Sequence, residues 1–239
     1  MKILAFDTSN QTLAVGLLEA GKLVGEVTTT NNKNHSTTLM PAIDQLMKQV
    51  NWQPKDLQRI VVAEGPGSYT GLRIGVTTAK TLAKTLKIDL VGISSLETLA
   101  ANAVGYQGLI VPLFDARRQN VYAGVYRWSN KKLVTVLPDR HVALAELLEK
   151  LQSEKEVLFL GLDRPKFQEA VLEALPQGKF APTPTWDVPN GITLATLGAT
   201  AKPVSEIDGF VPQYLKRVEA EEKWLMTHTP GNEAYVEKI

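Results

Sequence analysis

Two aspartates in this 239-residue chain stand where they could hold a magnesium-bound nucleotide. Asp7 ends one apolar segment and is followed by Thr8, and Asp115 ends another apolar segment later in the chain. Mg²⁺ prefers oxygen ligands and usually takes one or two carboxylates together with substrate phosphates. The competing interpretation is that each aspartate only forms the turn of its own hairpin, since aspartate side chains accept hydrogen bonds from nearby backbone N–H groups.

A second candidate for phosphate chemistry is the stretch EGPGSYTGLRIG, residues 64–75. A glycine-rich loop that leads from a strand into a helix N-terminus can bind anions. A P-loop, however, ends in Gly-Lys-Ser/Thr, whereas Gly71 is followed by Leu72 and Arg73. A dinucleotide site also needs an acidic residue about 20 positions further on, and the sequence there runs into two serines. The stretch therefore predicts a tight turn that positions a helix, with phosphate binding as a subordinate role.

The other residue types argue against hydrolytic, metal and redox chemistry. The chain has no cysteine, which excludes disulfides and thiolate metal sites. His35, His141 and His228 are far apart and lack the paired spacing of a zinc protease helix. No Gly-x-Ser-x-Gly nucleophile motif is present. We expect no metal site and no catalytic triad.

Composition describes an ordinary globular protein, with 44% hydrophobic and 21% charged residues. The formal charge of +1 argues against a protein that grips nucleic acid by itself, because phosphate neutralisation needs clustered basic residues. Asp7 comes too early for the apolar core of a signal peptide, and no apolar run is long enough for a membrane span. We expect a cytoplasmic protein without membrane contact.

Hydrophobic periodicity predicts the elements that position these residues. Apolar and alternating segments indicate strands over 2–7, 12–18, 23–29, 59–64 and 90–93. Helical spacing indicates helices over 36–50, 71–86 and 95–104, with Pro41 expected in the first turn of its helix. Three hairpin-linked strands followed by alternating helices and strands predict a mixed sheet with helices packed on it.

The second half of the chain repeats this order in outline. Gly105 to Gly108 is the predicted boundary, which gives an N-terminal unit over 1–106 and a C-terminal unit over 107–239. Strands are predicted over 109–115, 120–128, 133–137 and 157–161, and helices over 143–152, 167–175 and 192–202. Residues 223–239 show no clear periodicity and are interpreted as a tail that only a neighbour would order.

The first two long helices carry broad faces of apolar and small residues. Such faces either pack within their own unit or dock a partner, and small side chains allow close approach. The candidate partner interface consists of Leu39, Met40, Ile43, Met47, Leu72, Gly75, Val76 and Ala79.

Four segments together resemble the bacterial TsaB family, also called YeaZ. They are FDTS at 6–9, GPGSYTGLRIG at 65–75, DARR at 115–118 with Val121-Tyr122, and PQYL at 212–215. The resemblance spans most of the chain. It implies an α/β fold of the actin-like ATPase type (ASKHA, ribonuclease H-like), with two duplicated lobes that each contain a mixed sheet and helices.

The resemblance also implies a function. A member of this family is a degenerate paralogue of the transferase TsaD and a non-catalytic subunit required for threonylcarbamoyl transfer to adenosine 37 of tRNAs reading codons that begin with A. It binds and activates TsaD, and the ATPase TsaE joins these two proteins. Contact with tRNA is expected only through this complex, and the isolated chain is expected to form a homodimer. ATP and magnesium could enter at the level of the complex. Asp7, Thr8 and Asp115 would then be vestigial nucleotide-binding residues.

One departure from the TsaD pattern supports a non-catalytic role. The metal-binding His-x-x-x-His of TsaD is missing, because His35 is followed by Ser36-Thr37-Thr38-Leu39. The alternative function is a nucleotide-dependent actin-fold kinase or ATPase that uses Asp7, Thr8 and Asp115. A metalloprotease is a third and less favoured alternative.

Overall fold

The structure, a computed structural model, describes residues 1–30 and 34–216. The first half of the chain forms a five-stranded mixed sheet in the order β3-β2-β1-β4-β5. Its strands are β1 (Lys2–Asp7), β2 (Thr12–Glu19), β3 (Lys22–Thr30), β4 (Arg59–Gly65) and β5 (Asp89–Ser94). Its helices are α1 (His35–Gln49), α2 (Tyr69–Leu86) and α3 (Ser95–Ala100), with a 3-10 turn at Pro54–Asp56. Strand β1 pairs antiparallel with β2 and parallel with β4.

The second half forms another five-stranded sheet, in the order β10-β9-β6-β7-β8. Its strands are β6 (Leu109–Asp115), β7 (Asn120–Ser129), β8 (Lys132–Ala143), β9 (Val157–Leu160) and β10 (Gly178–Phe180). The helices are α4 (Leu144–Leu151) and α5 (Gln168–Ala174), with 3-10 turns at Arg164–Lys166 and Pro184–Trp186. Strand β6 takes the place of β1, because it pairs antiparallel with β7 and parallel with β9. The predicted duplicated actin-like α/β fold is confirmed.

Each sheet has an apolar core of its own. The first core joins β1, β4 and α1 through side chains such as Phe6, Val62 and Leu39. The second core joins β9 and α5 through Phe159 and Val171. Burying one side chain of this size contributes about 1.5–3 kcal/mol, so these clusters supply most of the driving force for each lobe.

The last described helix, α6 (Gly191–Thr200), returns to the first sheet. A Cβ on Gly16 of β2 would lie 2.3 Å from the carbonyl carbon of Gly191, so glycine is required where the helix meets the strand. At the other end, Arg59 Nη1 donates to the carbonyl oxygen of Gly198 at 2.9 Å. All strands of the first sheet precede residue 107, yet α6 packs on that sheet. The division at 106/107 stays a prediction.

Two local expectations were wrong. Helix α1 begins at His35, so Pro41 is its seventh residue and lies beyond the first turn. Proline has no N–H to donate to the carbonyl oxygen of Thr37, four residues earlier. The loss is tolerated because Pro41 and Thr37 are both exposed, so water can bind that carbonyl. Strand β8 does not end at 137 but continues through Pro138 to Ala143, because an edge strand tolerates a residue without an N–H.

Several sequence expectations fall outside what is described. The predicted tail over 223–239 and His228 lie outside the described residues. Within residues 1–30 and 34–216, no helix is long and apolar enough to cross a membrane.

Candidate functional site

The turn after β1 places Asp7 in a fully buried position. Its Oδ1 accepts a hydrogen bond from the backbone N–H of Ser9 at 2.7 Å, and its Oδ2 has no hydrogen-bond partner among the described residues. Burial raises the pKa of Asp7 to about 6, although hydrogen bonds from Ser9 and the nearby His35 act in the opposite direction. His35 Nε2 lies 2.7 Å from the carbonyl oxygen of Asn10, which fixes the start of α1 against this turn.

The glycine-rich loop lies directly on the same turn. A Cβ on Gly67 would come within 2.2 Å of the Ser9 carbonyl oxygen, and one on Gly71 within 2.1 Å of the Thr8 carbonyl oxygen. Thr8 Oγ1 donates to the Gly71 carbonyl at 2.7 Å, and the Ser68 N–H donates to the Ser9 carbonyl at 2.7 Å. The glycines are needed because two backbone segments touch, and the loop covers the turn that a phosphate would approach.

The turn after β6 has the same backbone motif in different surroundings. Asp115 Oδ1 accepts from the backbone N–H of Arg117 at 2.7 Å, as Asp7 does from Ser9. Its Oδ2 forms an ion pair with Lys166 at 2.9 Å, and Lys166 also binds Asp163 at 2.8 Å. Burial alone would raise the pKa of Asp115, but the bonds from Lys166 and Arg117 outweigh it and hold the pKa below its ordinary value.

This second turn also carries backbone strain. Three consecutive residues, Arg117, Arg118 and Gln119, have φ values of 66°, 52° and 59°. Left-handed backbone costs roughly 1–2 kcal/mol for each residue with a Cβ. The turn is held by hydrogen bonds from the Asn120 N–H to the Arg117 carbonyl at 3.0 Å and from the Leu144 N–H to the Gln119 carbonyl at 2.9 Å.

A carboxylate cluster that sequence reasoning missed joins the two lobes. Asp139 on β8 accepts hydrogen bonds from Ser94 at the end of β5 and from Tyr126 on β7. Ser94 Oγ also accepts from the backbone N–H of Glu97 at 3.1 Å, so it caps α3 while it donates to Asp139. No local pattern could have identified this cluster, because its members come from four separated segments.

The surroundings of this cluster raise the pKa values of its three acids, Glu64, Glu97 and Asp139. Burial raises the pKa of Glu64, and the nearby charges of Glu97 and Asp139 raise it further. The pKa of Glu97 is raised first by burial and then by the charge of Asp139. Burial also raises the pKa of Asp139, although the hydrogen bonds from the Ser94 and Tyr126 hydroxyls act in the opposite direction. Like charges held close in a partly buried site disfavour full ionisation. In the described part of the chain, no group of three or more His, Cys, Asp or Glu side chains has the arrangement of a metal site.

A C-terminal strap, residues 203–216, crosses the first lobe. The Val204 N–H donates to the Leu90 carbonyl at 2.8 Å, and the Gln213 N–H donates to the Glu64 carbonyl at 2.7 Å. Lys80 Nζ on α2 donates to the carbonyl of Phe210 at 2.8 Å. The strap and Glu64 line an open cavity of about 580 Å³. The strap is thereby bonded to β5 at Leu90, to β4 at Glu64 and to α2 at Lys80.

The predicted partner-interface residues are almost all inside the lobe. Met40 is 46% exposed, whereas the other seven, Leu39, Ile43, Met47, Leu72, Gly75, Val76 and Ala79, are buried within the chain. Gly75 packs against Thr8, where a Cβ would lie 2.5 Å from Oγ1. Their role in a partner interface stays a prediction, but apart from Met40 the side chains that α1 and α2 offer on the surface are different ones. They include Tyr69 and Arg73, which the apolar pattern did not single out.

The duplicated sheets and the paired aspartate turns define a two-lobed actin-like protein. The family model described as "TsaD: tRNA N6-adenosine threonylcarbamoyltransferase" matches residues 22–224. The chain is 47% identical over 226 residues to the tRNA threonylcarbamoyladenosine biosynthesis protein TsaB of Bacillus subtilis, covering 94% of this chain and 98% of that protein. The chain therefore belongs to the family that this model describes and, within it, to the TsaB proteins of tRNA threonylcarbamoyladenosine biosynthesis.

Two further comparisons agree with this assignment. The TsaB protein of Escherichia coli K12 is 29% identical over 129 residues, which are 53% of this chain and 55% of that protein. The structure of YeaZ from Pseudomonas aeruginosa matches with a TM-score of 0.74 at 22% identity, covering 90% of this chain and 99% of that chain. The predicted resemblance to the TsaB family is confirmed, and the YeaZ structure shares the fold.

Proposed function

We propose that this chain is a non-catalytic subunit of tRNA threonylcarbamoyladenosine biosynthesis. It binds and activates TsaD and recruits the ATPase TsaE, so that threonylcarbamoyl is transferred to adenosine 37 of tRNAs reading codons that begin with A. ATP, magnesium and tRNA are taken up by the complex, and two copies of the chain pair when TsaD is absent.

The state of the two aspartates carries the non-catalytic part of the proposal. A nucleotide-processing site needs carboxylates that can reach a magnesium ion. Asp7 lies completely buried under the glycine-rich loop, and Asp115 is neutralised by Lys166. Both carboxylates already serve the turns in which they lie, which supports a structural role for this pair.

The choice of variants for a docking test follows from burial. A charge at Ile43 or Ala79 would be placed in the apolar core and would destabilise the first lobe itself. Met40 is exposed on α1, so Met40→Glu changes the surface while leaving the core intact. Gln49→Glu, at the exposed end of the same helix, is a matched control.

The experiment is a reconstitution of tRNA modification with TsaD, TsaE and this chain. We expect no modification without the chain, loss of the TsaD complex on a sizing column with Met40→Glu, and normal assembly with Gln49→Glu. Asp7→Asn and Asp115→Asn should retain most of the modification activity. Full activity in the absence of the chain would contradict the accessory role, and normal assembly of Met40→Glu would contradict docking through α1.

One observation favours the alternative of a nucleotide-dependent kinase or ATPase. The Oδ2 atom of Asp7 is buried without a partner among the described residues, and a cation could satisfy it. This alternative predicts micromolar ATP binding in the presence of magnesium by the isolated chain, which Asp7→Asn abolishes. Calorimetry that detects no heat under these conditions would eliminate it.

A further inference from the structure

Two tyrosines from distant parts of the chain stack on the surface of the first lobe. Tyr69 begins α2 and Tyr214 lies on the strap, with ring centroids 5.0 Å apart and planes inclined by 31°. Each tyrosine is 40% exposed, so the pair is not part of the core. Tyrosine gives a large and rigid contact area at low entropic cost, which is why it is enriched in protein interfaces.

An arginine is held against this pair. The guanidinium carbon of Arg73 lies 4.4 Å from the Tyr69 ring centroid, and Arg73 Nε donates to the Tyr214 hydroxyl at 3.3 Å. The terminal nitrogens of Arg73 have no acceptor in the part of the chain that is described. We call Tyr69, Arg73 and Tyr214 the tyrosine–arginine anchor.

The charges around the anchor favour a single carboxylate as its ligand. The other cations of α2 are Lys80 and Lys84, and both bind the strap, through backbone carbonyl oxygens and through the side chain of Asp208. Among the described residues, Arg73 is therefore the cation of α2 that pairs with no carboxylate or carbonyl oxygen. A nucleic-acid backbone needs several neutralised phosphates, whereas one guanidinium with two parallel N–H groups matches one carboxylate.

We propose that the tyrosine–arginine anchor binds a carboxylate side chain of TsaD, flanked by apolar groups that pack on the two tyrosine rings. This inference rests on the proposed function, because it specifies the surface through which that partner docks. The anchor is composite, since Tyr214 comes from the strap and the strap is fixed to β4 through Gln213. The strap thereby holds the anchor in its binding geometry before the partner arrives, which lowers the entropic cost of association.

The test measures the affinity of the full chain for TsaD by calorimetry. We expect Arg73→Ala to weaken binding about 30-fold, the size of an interface hot spot. Arg73→Lys should still lose about 10-fold, because an ammonium group cannot form the bidentate pair. Tyr214→Ala should lose about 10-fold. Arg127→Ala, which removes an exposed arginine on β7, is the charge-matched control and should bind as the unmodified chain does.

The outcomes separate this inference from the proposed function. Unfolding midpoints of all variants should stay unchanged, because the anchor lies on the surface. If the unmodified chain binds TsaD and Met40→Glu does not, while Arg73→Ala binds normally, the anchor is wrong and the proposed function stands. If the unmodified chain does not bind TsaD, both are wrong. Weakened self-association or tRNA binding of Arg73→Ala, with unchanged TsaD affinity, would assign the surface to a second copy or to RNA and overturn the inference.

Discussion

The turns after β1 and β6 have the same backbone hydrogen bond, but the aspartate is buried in the first turn and partly exposed in the second. Both follow the central strand of their sheet, and in both the aspartate Oδ1 accepts a backbone N–H two residues on at 2.7 Å. In each lobe the neighbouring parallel strand leads into a glycine with almost the same φ: Gly65, the last residue of β4, at 125°, and Gly161, directly after β9, at 124°. Beyond that glycine the two lobes differ.

The difference lies in what reaches the turn. In the first lobe Gly67 and Gly71 bring backbone against backbone, which buries Asp7 and raises its pKa. In the second lobe the corresponding segment brings the side chains of Asp163 and Lys166, which leaves Asp115 partly exposed and lowers its pKa. A duplicated fold can therefore keep its chain path while the residues after one strand decide whether a carboxylate is sealed or accessible.

The largest effect is expected from opening the sealed turn. Gly71→Ala would place a methyl group 2.1 Å from the Thr8 carbonyl oxygen, and backbone atoms on both sides must shift. We expect a loss of about 3 kcal/mol in the free energy of unfolding, measured by urea denaturation. Leu162→Ala, an exposed position in the corresponding segment of the second lobe, should change stability by less than about 0.5 kcal/mol. Equal small effects at both sites would show that the turn is not sealed.

The next effect tests the charge of Asp7. Because its folded pKa of about 6 lies above the ordinary value, the folded state binds the extra proton and stability falls as pH rises from about 4 to 6. Asp7→Asn removes this penalty, so we expect up to about 3 kcal/mol of added stability at pH 7.5 that disappears below pH 4.

Asp115 should respond with the opposite sign. Its pKa is lowered, so its ion pair with Lys166 stabilises the fold above the ordinary aspartate pKa and is lost as pH falls through the folded value. Asp115→Asn should therefore cost stability at pH 7.5, by less than about 1 kcal/mol because the pair is partly exposed. If Asp7→Asn and Asp115→Asn changed the stability at pH 7.5 in the same direction, the contrast between the two turns would be contradicted.

The smallest effect concerns backbone strain in the second turn. Gln119 has a φ of 59°, and glycine adopts this conformation without a Cβ penalty. We expect Gln119→Gly to stabilise the chain by about 0.5–1 kcal/mol in thermal unfolding. Ser129→Gly, at the last residue of strand β7, should instead destabilise it by a similar amount, because Ser129 has no left-handed backbone for glycine to relieve. Destabilisation by both changes would show that Gln119 is not strained.

Much of the fold could be predicted because its signals are local. Apolar runs such as Ile60 to Ala63 predicted the buried strands, and the glycine-rich loop predicted the start of α2. The repetition of strand order predicted two lobes, and the equivalence of Asp7 and Asp115 followed from it.

The residues that sequence reasoning missed depend on contacts between distant segments. The apolar stripe on α1 and α2 did not distinguish burial in the lobe from docking, and the structure buries Ile43 and Ala79. Asp139 meets Ser94 only when the lobes pack together, and Tyr214 meets Tyr69 only when the strap crosses α2. Periodicity carries no information about such contacts, because it reports only which face of an element is apolar.

The return of α6 to the first sheet sets the order in which a nascent chain can become fully folded. Strands β1 to β5 leave the ribosome first, but one face of their sheet, with Leu18 and Val61, stays uncovered until residues 191–200 follow. At typical rates of synthesis this interval lasts roughly 5–20 s, long enough for the strands of the second sheet to be made in between. A fragment that stops at 106 would keep that apolar face bare, and we expect it to aggregate rather than fold.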